Sequence, residues 1–205
     1  MKGNIYKTGV RGVVYDSDSA WDLYPAFFKK VKLNKKDKIL DAGCGEGKLG
    51  KYLKGFKLYG FDYSKKAIKK AKNKGYKKVL QGDMGKVPFK NKEFDTSIAL
   101  GVFQYLKNSD KAFEELIRVT KDKIIISSAN FKWFRLKSLA YPKSKKKYKW
   151  LIENENFTDK KFFIRLAKKY KLNVKIDFIS NKFGSIRNLS GDFLASEVIA
   201  TYKLK

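Results

Sequence analysis

The sequence predicts an α/β fold: a mostly parallel seven-stranded sheet with helices on both faces and an antiparallel pair of strands at its C-terminal edge. Three observations predict it. After residue 37, short apolar runs alternate with amphipathic stretches, the pattern of strands joined by crossover helices. The first of those runs, ILDAGCGEGKLG at 39–50, breaks into glycines at 43, 45 and 47 and then into helix-compatible residues. The tail changes character: NVKIDFIS (173–180) and FLASEVIATYKL (193–204) read as two strands joined by a glycine-containing loop, hence an antiparallel edge pair.

Taken in order, residues 1–19 are loop-like and carry Tyr6 and Tyr15. A helix is expected over about 20–31, followed by strands at about 38–41, 57–61, 77–80, 94–100 and 122–128. Helices fall between them at about 47–54, 64–74 and 109–119, with a last one at about 158–171. In SKKAIKKAKNKGY (64–76), Ala67, Ile68 and Ala71 form the buried stripe and the lysines fill the wet face. Ser64, Ser109 and Thr158 are the expected N-caps, with Asp159 in the first turn after the last of them. The chain divides into a cap segment (1–35), a core (36–130), an aromatic and basic insertion (131–157) and a C-terminal helix with its strand pair (158–205), all within one domain.

Composition removes several function classes. The one cysteine, Cys44, allows no internal disulfide and fits a reducing cytoplasm. With no histidine and one cysteine, a zinc or haem site is not expected, and a Ser-His-Asp or Cys-His system is excluded. No apolar run reaches the length of a membrane span, and the first residues carry no secretory signal. The net charge is +28, from 48 basic and 20 acidic residues. Nucleic acid is one partner that such a charge can serve. The lysines, however, are spread along the chain, and arginine, the better phosphate fork, occurs only at 11, 118, 135, 165 and 187. The run KSKKKYK (143–149) reads first as a solvated loop.

A strand that breaks into a glycine loop and a helix holds a ligand over the helix N-terminus. A Walker loop needs Ser or Thr after its lysine, and Lys48 is followed by Leu49. Gly45, Gly47 and Gly50 match a dinucleotide fingerprint loosely, so glycines alone do not separate the readings. Asp41 does: a carboxylate there repels a pyrophosphate and favours a ligand bearing ammonium or sulfonium. S-adenosylmethionine carries both. Gly43, Gly45 and Gly47 permit close backbone approach, with Cys44 a small filler of the loop. Downstream, LYGFDYS (58–64) ends the second strand with Asp62 and Tyr63, and the Asp62 carboxylate can accept both ribose hydroxyls. VLQGDMGKVPF (79–89) ends the third strand with Gly82, Asp83 and Met84, an acid for an adenine amino group and a side chain to cover the ring. FDTSIALGVFQYL (94–106) opens the crevice at Leu100 and places Gln104 beyond it.

Together these motifs resemble a class I S-adenosylmethionine-dependent methyltransferase of the type 11 kind, over about residues 36–130 for the motifs and most of the chain for the architecture. The resemblance implies the Rossmann-like fold of that class, with Asp41, Gly43, Gly45 and Gly47 holding the methionine moiety, Asp62 the ribose and Asp83 facing adenine. S-adenosylhomocysteine is then the product. A weaker similarity is to the MetW methionine biosynthesis proteins. It rests on Gln104, on Asn130, Phe131, Trp133 and Arg135 after the fifth strand, and on FTDKKFFIRLAKKYKLNV (157–174). Ala129 stands where that group has proline. The similarity implies a homoserine acyltransferase as partner.

The expected reaction is in-line displacement at the sulfonium methyl by an O, N or C nucleophile of a small-molecule or metabolite acceptor, with an RNA acceptor as the alternative. A general base, if one is used, must be Asp, Glu, Tyr or Lys. Tyr6, Tyr15, Trp21 and Tyr24 are aromatic candidates for a cap over the cofactor or acceptor.

Overall fold

Successive apolar residues on a strand point to opposite faces of the sheet, and together they build two cores, one on each face. The structure, a computed structural model, describes residues 24–130, 158–179 and 197–204. In chain order the elements are α1 (Tyr24–Lys30), β1 (Lys38–Ala42), α2 (Lys48–Tyr52), β2 (Lys57–Asp62), α3 (Lys65–Ala71), β3 (Lys78–Gln81) and β4 (Phe94–Leu100). There follow a short 3-10 helix (Phe103–Tyr105), α4 (Ser109–Val119), β5 (Thr120–Ala129), α5 (Lys160–Lys169), β6 (Asn173–Ile179) and β7 (Glu197–Lys203).

The seven strands lie in the order β3-β2-β1-β4-β5-β7-β6. The first five run parallel, and β7 is antiparallel to both β5 and β6. Both the mostly parallel sheet and its antiparallel C-terminal pair match the expectation. On β1, Ile39 faces one core and Leu40 and Ala42 the other; on β5, Ile125 opposes Ile124 and Ile126. The first core is closed by Phe113 and Leu116 of α4 and Phe163 and Leu166 of α5. The second is closed by Phe27 of α1, Leu49 of α2 and Ile68 and Ala71 of α3. Strands buried on both faces explain why these runs read as almost continuously apolar.

Strand order reverses between β1 and β4, and the carboxyl edge at such a switch point is where open α/β sheets bind their ligands. Local signals set the element ends. Ser64 caps α3 as expected, its hydroxyl accepting from Ala67 N. Two other caps move by one residue. Asn108, not Ser109, caps α4 by accepting from Lys111 N, and Asp159, not Thr158, caps α5 by accepting from Phe162 N. In each pair the side chain that reaches the third amide onward takes the cap, which leaves the Thr158 hydroxyl for a buried contact with Ser128. α3 stops at Ala71, short of the expected 74, because the chain turns through Gly75 at φ 85°. No described helix is long and apolar enough to cross a membrane.

Candidate functional site

The glycine loop after β1 is strapped to the end of β2. The amides of Gly43 and Cys44 both donate to the Phe61 carbonyl, at 2.9 Å each. Gly45 N donates to Oδ2 of Asp62 at 2.8 Å, and Ser64 N donates to Oδ1 of the same carboxylate at 2.8 Å. Asp62 thus spends one lone pair of each oxygen on main-chain donors and keeps the others for a ligand. Gly82 N, at the end of β3, donates to the Asp62 carbonyl. Asp62 therefore joins the ends of β1, β2 and β3 at one residue, through its carboxylate and its main-chain carbonyl.

Gly43, Gly45 and Gly47 hold φ of 77°, 51° and 81°, the left-handed region that side chains disfavour. A Cβ on Gly43 would lie 2.6 Å from Val102 Cγ2, so the β1 and β4 loops meet there across the switch point. A Cβ on Gly45 would meet nothing within 4 Å. The loop is thus packed on one side and open on the other, and at Gly45 a bare backbone faces open space. That is the cradle a close-fitting ligand needs.

Asp41 lies beneath this loop with only 4% of its surface exposed. Tyr76 donates its phenolic hydrogen to Asp41 Oδ2 at 2.5 Å. Burial pushes the Asp41 carboxyl up to about 7; the Tyr76 hydrogen bond acts against that rise, and the charge of Asp62 adds to it. Burial, with Asp41 and Asp62 close by, also holds the Cys44 thiol far above its ordinary value, so Cys44 is a core residue and not a nucleophile.

The remaining sequence candidates are placed as follows. Asp83 is exposed, its Oδ1 accepting from Gly85 N at 2.6 Å within a tight turn. Met84 is buried in the first core with Phe61 and Val87. Tyr63 stands exposed beside Asp62, and Leu100 ends β4 half-buried. Tyr24 stacks on Tyr52 of α2, centroids 4.8 Å apart, so it serves packing between α1 and α2. Tyr6, Tyr15, Trp21, Phe131, Trp133, Arg135 and the 143–149 lysine run lie outside the described residues.

A second polar cluster stands at the carboxyl ends of β4 and β5. Gln104 is buried, and its Oε1 accepts from Ser128 Oγ at 2.8 Å; Ser128 also touches the Thr158 hydroxyl. On the opposite sheet face, Ser127 hydrogen-bonds the buried Glu197 carboxyl, which burial nonetheless pushes up to about 7. Glu197 is the first residue of β7 and pairs with Ala129, the last of β5. Its charge reaches Tyr105 in the 3-10 helix. Beside the cluster a cleft is lined by Asn130, Asp159, Lys160, Ile164, Phe178 and Val198.

Sequence reasoning missed Tyr76 and Glu197. The only signal for Glu197 was an acid running directly into Val198, Ile199 and Ala200 within an expected strand. Tyr76 had none, since its role depends on a strand 35 residues earlier.

Comparison with known proteins agrees with this geometry. A family described as Methyltransferase domain matches residues 33–181. An uncharacterised protein of Methanocaldococcus jannaschii, MJ1252, is 40% identical over 87 residues, 42% of this chain and 34% of that protein. The tRNA (carboxymethyluridine(34)-5-O)-methyltransferase of Arabidopsis thaliana is also 40% identical over 87 residues, 40% of this chain and 21% of that one. The chain thus spans about a third and a fifth of the length of these curated relatives. Among solved structures, a SAM-dependent methyltransferase of Thermotoga maritima superposes with a TM-score of 0.65 at 18% identity, covering 89% of this chain and 95% of that one.

Proposed function

The chain belongs to the methyltransferase domain family, with the class I S-adenosylmethionine-dependent fold, and from that premise we propose that it methylates a small polar metabolite. The observation that carries the choice of acceptor is a pair of buried polar contacts at the ends of β4, β5 and β7, Gln104 with Ser128 on one sheet face and Glu197 with Ser127 on the other. A buried set of donors and acceptors beside the crevice suits a compact partner that satisfies hydrogen bonds, and an extended one much less.

S-adenosylmethionine, when bound, supplies the electrophilic methyl on its sulfonium. The residues present fit it. Gly43–Gly47 offer an unobstructed backbone at Gly45, and Asp62 keeps lone pairs for the ribose hydroxyls. The Asp83 carboxylate is exposed at the end of β3, on the side expected for adenine. Asp41 places a negative charge under the loop where a cationic methionine end would lie. Gln104 and the cluster around it hold and orient the acceptor and keep water from the reacting side. Glu197 is the group suited to take a proton from a protic acceptor, being a buried carboxyl that titrates near 7.

Incubation with methyl-labelled cofactor and a cell extract, separated into small molecules and RNA, tests this reading. Label is expected in the small-molecule fraction. A second reading, an RNA acceptor, is favoured by the net charge of +28 and by the tRNA methyltransferase among the relatives. Label in RNA alone, with binding that weakens steeply as salt rises, would establish it instead.

A further inference from the structure

Tyr76 sits in the turn between α3 and β3, and it touches every part of the frame under the glycine loop. A Cβ added at Gly47, Gly50 or Gly60 would lie 3.1, 2.9 and 2.9 Å from carbons of its ring. The ring therefore rests on the α-carbons of the loop's end, of α2 and of β2, and only glycine at those three positions lets it enter. Its hydroxyl ends at Asp41 Oδ2, 2.5 Å away. Burial, then the charge of Asp41, drives the phenol's own ionisation well above the ordinary range, so the phenol is always the donor.

We propose that Tyr76 is a positioning residue for the cofactor: its phenol holds the Asp41 carboxylate ionised beneath the glycine loop, so uptake of a cationic methionine end depends on a tyrosine that packs in the core. The inference rests on the cofactor assignment above and adds to it the residue that sets the charge of the site. The groups facing Asp41 are Tyr76 from the α3–β3 turn, Cys44 from the loop and Asp62 from β2. Of these, the thiol stays protonated and the phenol donates, while Asp62 adds a like charge that opposes ionisation. A buried carboxylate under such pressure is stabilised by two things, a hydrogen-bond donor and a cation. Tyr76 is the first, and the ligand's ammonium or sulfonium is the second.

The test uses S-adenosylhomocysteine, which keeps the cationic amino group and is the product of the proposed reaction. Its binding to the full chain is followed by isothermal titration from about pH 5.5 to 8.5, a span centred on the Asp41 carboxyl near 7. For the unmodified protein, Kd is expected to rise below pH 7, by up to about tenfold per unit, with proton release on binding in that range. Tyr76→Phe keeps the ring against the three glycines and removes only the donor. Its Kd is expected to be roughly tenfold weaker at pH 7, with the difference closing toward pH 8.5, a pH shift that a packing defect does not produce. Asp41→Asn is expected to bind weakly at every pH and to release no proton. If the unmodified protein binds tightly with a flat pH profile and no proton release, the proposal falls and the cofactor site stands. The proposal falls in the same way if Tyr76→Phe titrates at the unmodified pH. If the unmodified protein fails to bind at any pH, the cofactor assignment falls and takes the proposal with it. Should Tyr76→Phe not fold, proton release by the unmodified protein decides.

Discussion

The α-carbon of Gly50 in α2 faces the carbonyl oxygen of Lys74 so closely that a Cβ there would lie 1.8 Å from it. This contact docks the start of α2 against the α3–β3 turn and holds Tyr76 under the loop. Gly50 therefore completes a dinucleotide-like spacing for a packing reason, not for phosphate binding. Gly50→Ala is expected to destabilise the fold by roughly 1–3 kcal/mol, because the clash is with backbone and cannot be relieved by a rotamer. Urea unfolding followed by circular dichroism measures it.

Gly45→Ala should behave in the opposite way. A Cβ at that position meets nothing within 4 Å, and the cost is that of a left-handed φ of 51°, about 1 kcal/mol. Affinity for S-adenosylhomocysteine, in contrast, is expected to fall at least about tenfold, since the methyl enters the open side of the loop. Similar losses of stability in both variants with unchanged affinity in Gly45→Ala would place the ligand elsewhere.

Asp62→Ala removes the acceptor for Gly45 N and Ser64 N and the proposed ribose contacts together. Hydrogen bonds to a charged group are worth about 1.5–3 kcal/mol, so S-adenosylhomocysteine affinity should drop about tenfold to a hundredfold. Titration calorimetry at pH 8 reads the change, and an unaltered Kd would remove the ribose assignment.

The Glu197 carboxyl titrates near 7 in the folded chain against an ordinary value of 4.5, raised by burial. The unfolded chain then loses its proton first, so stability is greatest below about 4.5 on this group's account and declines as pH rises toward 7. Asp41 acts in the same sense between its ordinary 3.8 and about 7. Glu93, Asp95 and Glu115, whose carboxyls are lowered, lose their contribution only in more acidic solution. Glu197→Gln should therefore match the unmodified protein near pH 5 and be more stable at pH 8, by a few kcal/mol at most. Chemical denaturation at the two pH values checks the sign.

The glycine loop and its neighbouring acids were legible as a candidate site because the motif is local. Asp41, the three loop glycines and Asp62 stand at or just after strand ends at fixed spacings, and the bonds made by Gly43, Cys44 and Gly45 hold the loop against the end of β2. The caps at Ser109 and Thr158 were each one residue off, since the choice between adjacent polar residues depends on which side chain reaches the third amide.

The sequence by itself determined the order of strands and helices, the antiparallel tail and the glycine loop with its acids. Each of these is written in a period of two, a period of 3.6 or a short run of special residues. Tertiary structure alone decided that Tyr76 would meet Asp41, that Gly50 would touch Lys74, and that Glu197 would be buried against Ser127 at the carboxyl edge. These pairs join residues distant in the chain through the pairing of strands and the docking of turns. A phenol or a carboxylate acquires its charge state from what surrounds it, and no local pattern records those surroundings.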